Sequence, residues 1–240
     1  MPTAPNQAIR NPNALPVYVQ LAEFLIREIE STRLLDGERL PPEREMATKM
    51  NVSVGTLRKA LAEVEKRGML ERIQGSGNYV RDAGKGDSVY AMFRLELPEG
   101  GGLPRADILS VDVMTKPDDL PKFGTSTRGS RVRRMRYLND TLIAVEEIWL
   151  DESCGIIEAD LLSDSLYRYY QRQLGFWITR IEDRVRIAPL PSWTPPTFTK
   201  PAGIVTGFIE RHSWSDKPDT VEYSRTWFDP DQAVYVQRLK

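Results

Sequence analysis

Cysteine and histidine are nearly missing from this 240-residue chain, which holds only Cys154 and His212. A lone cysteine forms no internal disulfide, and a lone histidine with no Cys or His at ligand spacing builds no zinc site. The same scarcity removes His- and Cys-based nucleophilic catalysis. Long apolar runs are missing too. Nothing in the sequence approaches the roughly 18 consecutive apolar residues that a membrane span needs. Met1 to Pro16 is rich in Pro, Asn and Ala and has no apolar stretch of the kind a secretory leader carries. These absences predict a cytoplasmic protein with no cofactor, no metal and no membrane association. Net charge is small as well, at -1, with 12 Lys/Arg against 11 Asp/Glu in residues 1–82 and 21 against 23 beyond. Phosphate attraction needs a local positive face and not a positive total, so this balance leaves nucleic-acid binding open.

With 40% hydrophobic and 28% charged residues, the chain can fill two ordinary cores. Val17, Leu21, Phe24, Leu25 and Ile29 form one stripe of an amphipathic helix from Pro16 to about Arg33, with Pro16 suited to its first turn. Asp36-Gly37 breaks the pattern, and Leu40-Pro41-Pro42 forces an extended approach to a short helix from Glu43 to about Met50. Asn51-Val52-Ser53 predicts a tight turn, with Ser53 capping a third helix that carries Leu57, Leu61 and Val64 inward and stops at Gly68. Leu70 to Ile73 and Asn78 to Val80, separated by Gln74-Gly75-Ser76-Gly77, read as a hairpin. Arg81 to Asp87 reads as a linker. Beyond it alternating segments predict strands at Ile108–Thr115, Val132–Leu138, Leu142–Leu150, Ile178–Ile187, Val205–Ser215, Val221–Phe228 and Val234–Leu239. A helical stretch is expected around Leu166–Leu174, and Asn139-Asp140 suggests a hairpin turn.

Three helices and a hairpin are the order of a winged helix-turn-helix. Pro16-Val17-Tyr18, Leu40-Pro41-Pro42-Glu43-Arg44-Glu45, Ser53-x-x-Thr56-Leu57-Arg58-Lys59-Ala60-Leu61 and Gln74-Gly75-Ser76-Gly77-Asn78-Tyr79-Val80 resemble, in order and spacing, the signature blocks of the GntR family of transcriptional regulators. In a helix-turn-helix, the first turns of the second helix face base edges, and a helix N-terminus favours phosphate. Ser53, Thr56 and Arg58 occupy those turns. Arg58 suits a guanine O6/N7 edge, and Ser53 and Thr56 suit phosphate oxygens. Alternatively, Ser53 is only a cap and Arg58 a surface charge paired with Glu63 or Glu65. The resemblance implies a further contact at Arg44. Gly75 and Gly77 let the wing approach the minor groove, with Gln74 and Ser76 as hydrogen-bonding partners. Val54 stands where the family often has Arg, which removes one possible base contact.

Residues 103–240 resemble the UTRA effector-binding domain of the HutC-like branch, whose fold is similar to chorismate lyase. Val132-Arg133-Arg134-Met135-Arg136, Ile143-Ala144-Val145-Glu146-Glu147, Ser165-Leu166-Tyr167 and Val221-Glu222-Tyr223-Ser224-Arg225-Thr226-Trp227-Phe228 carry the likeness. Strand alternation puts Arg134 and Arg136 on one face, with Glu146 on a face of the next strand. They either converge on a pocket or form a cross-strand ion pair. The resemblance implies effector contacts at Arg134, Arg136, Glu146, Ser165, Tyr167 and Glu222, with Arg133, Glu147 and Arg225 as further candidates. It also implies a homodimer. Guanidinium groups suit carboxylate or phosphate, so an anionic effector is expected. Relatives that bind amino-sugar phosphates usually carry a Ser- and Thr-rich loop after the linker, where this chain reads Val89-Tyr90-Ala91-Met92-Phe93-Arg94-Leu95, and often have Tyr at the position of Phe228. A non-phosphorylated acid is therefore the expectation.

The sequence thus predicts an α+β chain in three parts. Residues 1–82 form a winged helix-turn-helix, 83–102 lead into the second domain, and 103–240 form an antiparallel-sheet effector-binding and dimerisation domain. Its expected partners are a palindromic double-stranded DNA operator, a small anionic metabolite and a second copy of itself, and repression is the expected sign. An enzyme of chorismate-lyase-like fold and a non-specific DNA-binding protein are the competing readings, the first weakened because a fold does not carry an activity.

Overall fold

A computed structural model of the chain describes residues 15–30, 33–81, 92–162 and 165–238. The expected linker Arg81 to Asp87 lies outside them from residue 82 on, as does the stretch Val89 to Ala91. The first three helices are α1 (Val17–Glu30), α2 (Glu43–Lys49) and α3 (Val54–Lys66), followed by the hairpin β1 (Leu70–Ile73) and β2 (Gly77–Val80). Their apolar stripes close one core around Leu21, Ile26, Leu57, Leu61 and Val64. Ser53 starts α3 as its sequence position suggests, accepting a hydrogen bond from the Thr56 backbone N–H at 3.0 Å. Asn51 turns the chain between α2 and α3 at φ 52°, a left-handed conformation that Asn tolerates better than most residues. The hairpin has a third, irregular partner that the sequence patterning missed. Leu40 N–H donates to Asn78 C=O and Val80 N–H to Glu38 C=O, both at 2.9 Å, so the stretch before α2 ties the wing to the helices.

The second domain is a six-stranded antiparallel sheet in the order β4-β5-β6-β9-β8-β7. Its strands are β4 (Pro104–Thr115), β5 (Arg128–Leu138), β6 (Thr141–Asp151), β7 (Arg180–Pro189), β8 (Val205–Trp214) and β9 (Thr220–Phe228). Asn139, at φ 54°, makes the turn between β5 and β6. The helical stretch is α4 (Leu166–Tyr169), continued by one π-type turn through Leu174, and it packs on one face of the sheet with Val132, Ile148 and Val221. The fold is therefore α+β, as the patterning predicts. Two departures concern the ends of the domain. The final strand is only Val234–Tyr235 (β10), not Val234–Leu239, because its ladder partner is a two-residue strand, Leu95–Glu96 (β3), that alternation did not reveal. Residues 95–96 are thus paired sheet within the segment read as leading into the domain.

Register fixes the site. Along one face the rows run Arg134, Glu146, Thr226, Ile209 and then Ile148, Ser224, Arg211, Asp183, with Glu222 opposite Ser213 one row on. Arg133, Glu147 and Arg225 point to the other face, because successive side chains alternate. Gly207 sits where β8 meets Phe228 of β9, and a Cβ there would lie 2.3 Å from the Phe228 ring. Gly207→Ala should therefore cost about 1–3 kcal/mol of stability through overpacking. Denaturant unfolding checks it, and an unchanged midpoint would count against this register.

Candidate functional site

The wing candidates Gln74, Gly75, Ser76 and Gly77 line a crevice with the start of α2. Ser53, Arg44, Gln74 and Gly75 are exposed, and Thr56, Ser76 and Gly77 are partly so. Ser53 Oγ also lies 2.8 Å from Thr56 Oγ1, so both hydroxyls are held at the start of α3. Arg58 pairs with neither Glu63 nor Glu65. Its Nε donates to Glu43 Oε2 at 2.6 Å, across the turn between the two helices of the motif. At the wing, Gly75 and Gly77 have φ of 78° and 137°, and the Arg39 guanidinium lies 3.1 Å from where a Gly77 side chain would begin. A larger residue at position 77 would push Arg39 off the wing. Arg39 and Arg72 flank the crevice between the wing and α2, and neither was singled out from the sequence.

In the second domain all six effector candidates line one cavity: Arg134, Arg136, Glu146, Ser165, Tyr167 and Glu222, with Arg211 opposite and Met92 and Phe93 closing one side. About 50 Å³ is open to the centre of a water-sized sphere, against the roughly 10–15 Å³ that one water requires. Arg134 Nε donates to Glu146 Oε2 at 2.6 Å, Thr226 donates to Glu146 Oε1 at 3.1 Å, and Arg136 stands 4.0 Å from the same carboxylate. The Glu146 pair is thus both the cross-strand ion pair and a cavity wall. Burial works against the Glu146 charge, but Arg134 and Arg136 hold its carboxyl below the ordinary value. Arg134 is 7% exposed, and its Nη1 is buried without a hydrogen-bond partner among the described residues. A buried guanidinium N–H that lacks an acceptor costs free energy until an acceptor arrives.

Glu222 sits at the other end and behaves differently. Tyr170 donates to it at 2.6 Å and Ser213 at 2.8 Å, and Tyr167 reaches it at 3.4 Å. Burial outweighs these bonds and pushes the Glu222 carboxyl above its ordinary range. Ser165 caps α4, accepting from Arg168 N–H at 3.3 Å, which aims the first turn of that helix at the cavity. Arg211 is a charged cavity residue that the sequence patterning missed. Burial opposes its charge, yet Asp183 grips it at 2.6 and 2.7 Å and keeps it firmly protonated. Tyr235 of β10 donates to Asp183 at 2.7 Å. His212 beside it turns to the opposite face and lies tilted against the Tyr223 ring, with ring centres 5.0 Å apart. Alternation with Ile209 and Ser213 was the available signal for Arg211.

The cavity also adjoins the first domain. The Phe93 ring lies under the Arg136 guanidinium at 4.7 Å on the cavity side and 5.4 Å from that of Arg27, a buried residue of α1. Next to it, Glu96 of β3 accepts from Arg33 at 3.1 Å and from Arg238 at 2.6 and 3.0 Å, with Arg27 at 3.7 Å. One carboxylate therefore ties the start of the sheet domain to the first helix and to the chain's last described residue.

A winged helix-turn-helix fused to a sheet domain whose cavity is lined by charged and hydroxyl side chains is the build of a ligand-sensing transcriptional regulator. The chain belongs to the GntR family of bacterial regulatory proteins, whose sequence model matches residues 17–80, and it carries a UTRA domain over residues 99–233. It is similar to the HTH-type transcriptional regulator SmoD of Agrobacterium fabrum, with 50% identity over 228 residues, 95% of this chain and 97% of that one. It is also similar to the mannosyl-D-glycerate transport/metabolism system repressor MngR of Escherichia coli, 30% identical over 176 residues, 71% and 73% of the two chains. The crystal structure of YydK from Bacillus subtilis matches it with a TM-score of 0.52 at 20% identity, over 94% of this chain and 100% of that one, which speaks to fold alone. These relatives are named as transcriptional regulators and not as enzymes. Among the described residues, no helix is long and apolar enough to cross a membrane.

Glu222 yields a pH prediction. Its folded-state value is raised, so its stabilising contribution is complete below the ordinary carboxylate value of 4.5 and is lost as pH rises through the raised value. Glu222→Gln, which stays neutral, should therefore gain melting temperature relative to the parent as pH rises from 4.5 towards 8. A difference that stays constant with pH would show that Glu222 titrates normally.

Proposed function

We propose that this chain is a cytoplasmic repressor of the HutC-like branch that binds a palindromic operator as a homodimer and is released by a small anionic metabolite. The observation that carries the effector class is the Arg134 Nη1, buried and lacking an acceptor among the described residues, in a cavity that it shares with Arg136 and Arg211. A carboxylate or similar oxyanion supplies that acceptor. Glu146 and Glu222, with Tyr167 and Ser165 beside them, offer partners for hydroxyl or amino groups on the same molecule. MngR is by name a repressor of mannosyl-D-glycerate transport and metabolism, and mannosyl-D-glycerate is a sugar-bearing acid, which agrees in class with this reading. A non-phosphorylated acid is the reading we adopt, with residues 1–82 reading DNA, 83–102 connecting and 103–240 sensing and dimerising.

Release follows as a population shift. An effector that engages Arg136 alters the setting of the Phe93 ring, and through Arg27 and Glu96 the setting of α1. The two recognition helices then no longer match half-sites about one helical turn apart. Ser53 and Thr56 serve phosphate, Arg58 and Arg44 serve bases or phosphate, and Gln74, Gly75, Ser76 and Gly77 serve the minor groove.

Gel shifts on a duplex enriched from a random library, with and without candidate metabolites, test the reading, since only a ligand-responsive regulator shows both site preference and ligand-dependent release. Arg58→Ala should lower discrimination against scrambled DNA by about 1–3 kcal/mol and leave weak, salt-sensitive binding. A variant with full discrimination refutes the recognition-helix assignment. In a thermal-shift screen of sugar phosphates, sugar acids and amino acids, the acids should stabilise the parent, and Arg134→Ala should lose that response while keeping ligand-free DNA affinity. Stabilisation only by a hexosamine phosphate or a cation would overturn the effector class.

A further inference from the structure

We propose that Glu43 is a positioning residue for base reading: its carboxylate holds Arg58 by Nε, so that the two terminal nitrogens of the guanidinium stay free for the groove. The inference rests on the DNA-reading role of Arg58 given above. The Arg58 side chain is 64% exposed, whereas Glu43 is 22% exposed. A long side chain that exposed samples many rotamers, and ordering it on a base edge costs conformational entropy. The 2.6 Å bond to Glu43 Oε2 removes much of that freedom before DNA arrives. It also selects which edge of the guanidinium is presented. With Nε engaged, the bidentate contact to guanine O6 and N7 is left to the Nη pair.

Glu43 is itself held from the wing. Its second oxygen lies 4.0 Å from Arg72 Nη2, and Arg72 Nε donates at 3.3 Å to the side chain of Asn78, a buried residue of β2. One carboxylate at the start of α2 therefore references the recognition helix and the wing to each other. As a surface ion pair it contributes little to stability, so stability alone does not account for the arrangement. It also sits among the groups that approach phosphate, where a negative charge weakens attraction to any duplex. Positioning and repulsion push in opposite directions, which makes the idea easy to test.

The full chain is used, with the duplex it enriches from a random library and a scrambled duplex of equal length. Glu43→Gln is expected to lower the ratio of the two affinities by about tenfold, within the range of one bidentate contact, while affinity for the scrambled duplex rises or holds. Glu45→Gln removes an equal charge from the same first turn and should leave the ratio unchanged. In an Arg58→Ala background, Glu43→Gln should lower the ratio no further. An unchanged ratio in Glu43→Gln, an equal fall in Glu45→Gln, or losses that simply add in the double variant would each overturn the proposal. A parallel fall on both duplexes with a lowered melting temperature would assign Glu43 a merely structural role. Failure to enrich any duplex would instead remove the DNA-reading assignment, and this inference with it.

Discussion

The buried pair between Arg134 and Glu146 is the contact on which the sensing domain is arranged. Two charges on adjacent strands of one sheet face are costly to bury, and they persist because each satisfies the other at 2.6 Å while Thr226 and Arg136 complete the carboxylate's surroundings. The pair follows from the register of β5 on β6 and adds to it. It also sets the chemistry of the cavity, because Glu146 occupies Arg134 through Nε and leaves Nη1 for something else. Removing either partner leaves the other charged and buried, so a variant at this pair carries a stability cost beside any change in ligand response.

Around it the cavity is polarised. The Glu146 end holds an ionised carboxylate between guanidinium groups, and the Glu222 end holds a carboxyl that burial drives towards neutrality among two tyrosines and a serine. A molecule with an acidic group and several hydroxyls can align along that gradient. Arg211, gripped by Asp183, adds a fixed positive charge that is backed by Tyr235 and so by the short β10 strand.

Much of this was legible in the sequence, for reasons that particular residues make clear. Period-two alternation is enough to put Arg134 and Arg136 together and Arg133 on the other face, and the helix stripes of α1 and α3 gave the first core directly. Ser53 was readable as a cap because its bond is local. What escaped detection depends on contacts between distant parts of the chain. Arg58 meets Glu43 fifteen residues away across a turn, not the glutamates on its own helix. β3 has two residues and no alternation to show, and it exists because β10 comes back to pair with it. Arg39 lies over Gly77 because the stretch before α2 bonds to the wing.

Phe93, set between Arg136 and Arg27, has a thermodynamic corollary. If a ring shared by both domains carries information from the cavity to α1, the same ring carries it back, because coupling free energy is symmetric for binding. If the metabolite weakens DNA binding as proposed, the DNA-bound protein holds its metabolite more weakly than the free protein does, by the same factor. A cell with more copies of this regulator than operators would keep a reserve of tighter receptors in solution, and the concentration at which genes respond would depend on how many copies are off the DNA.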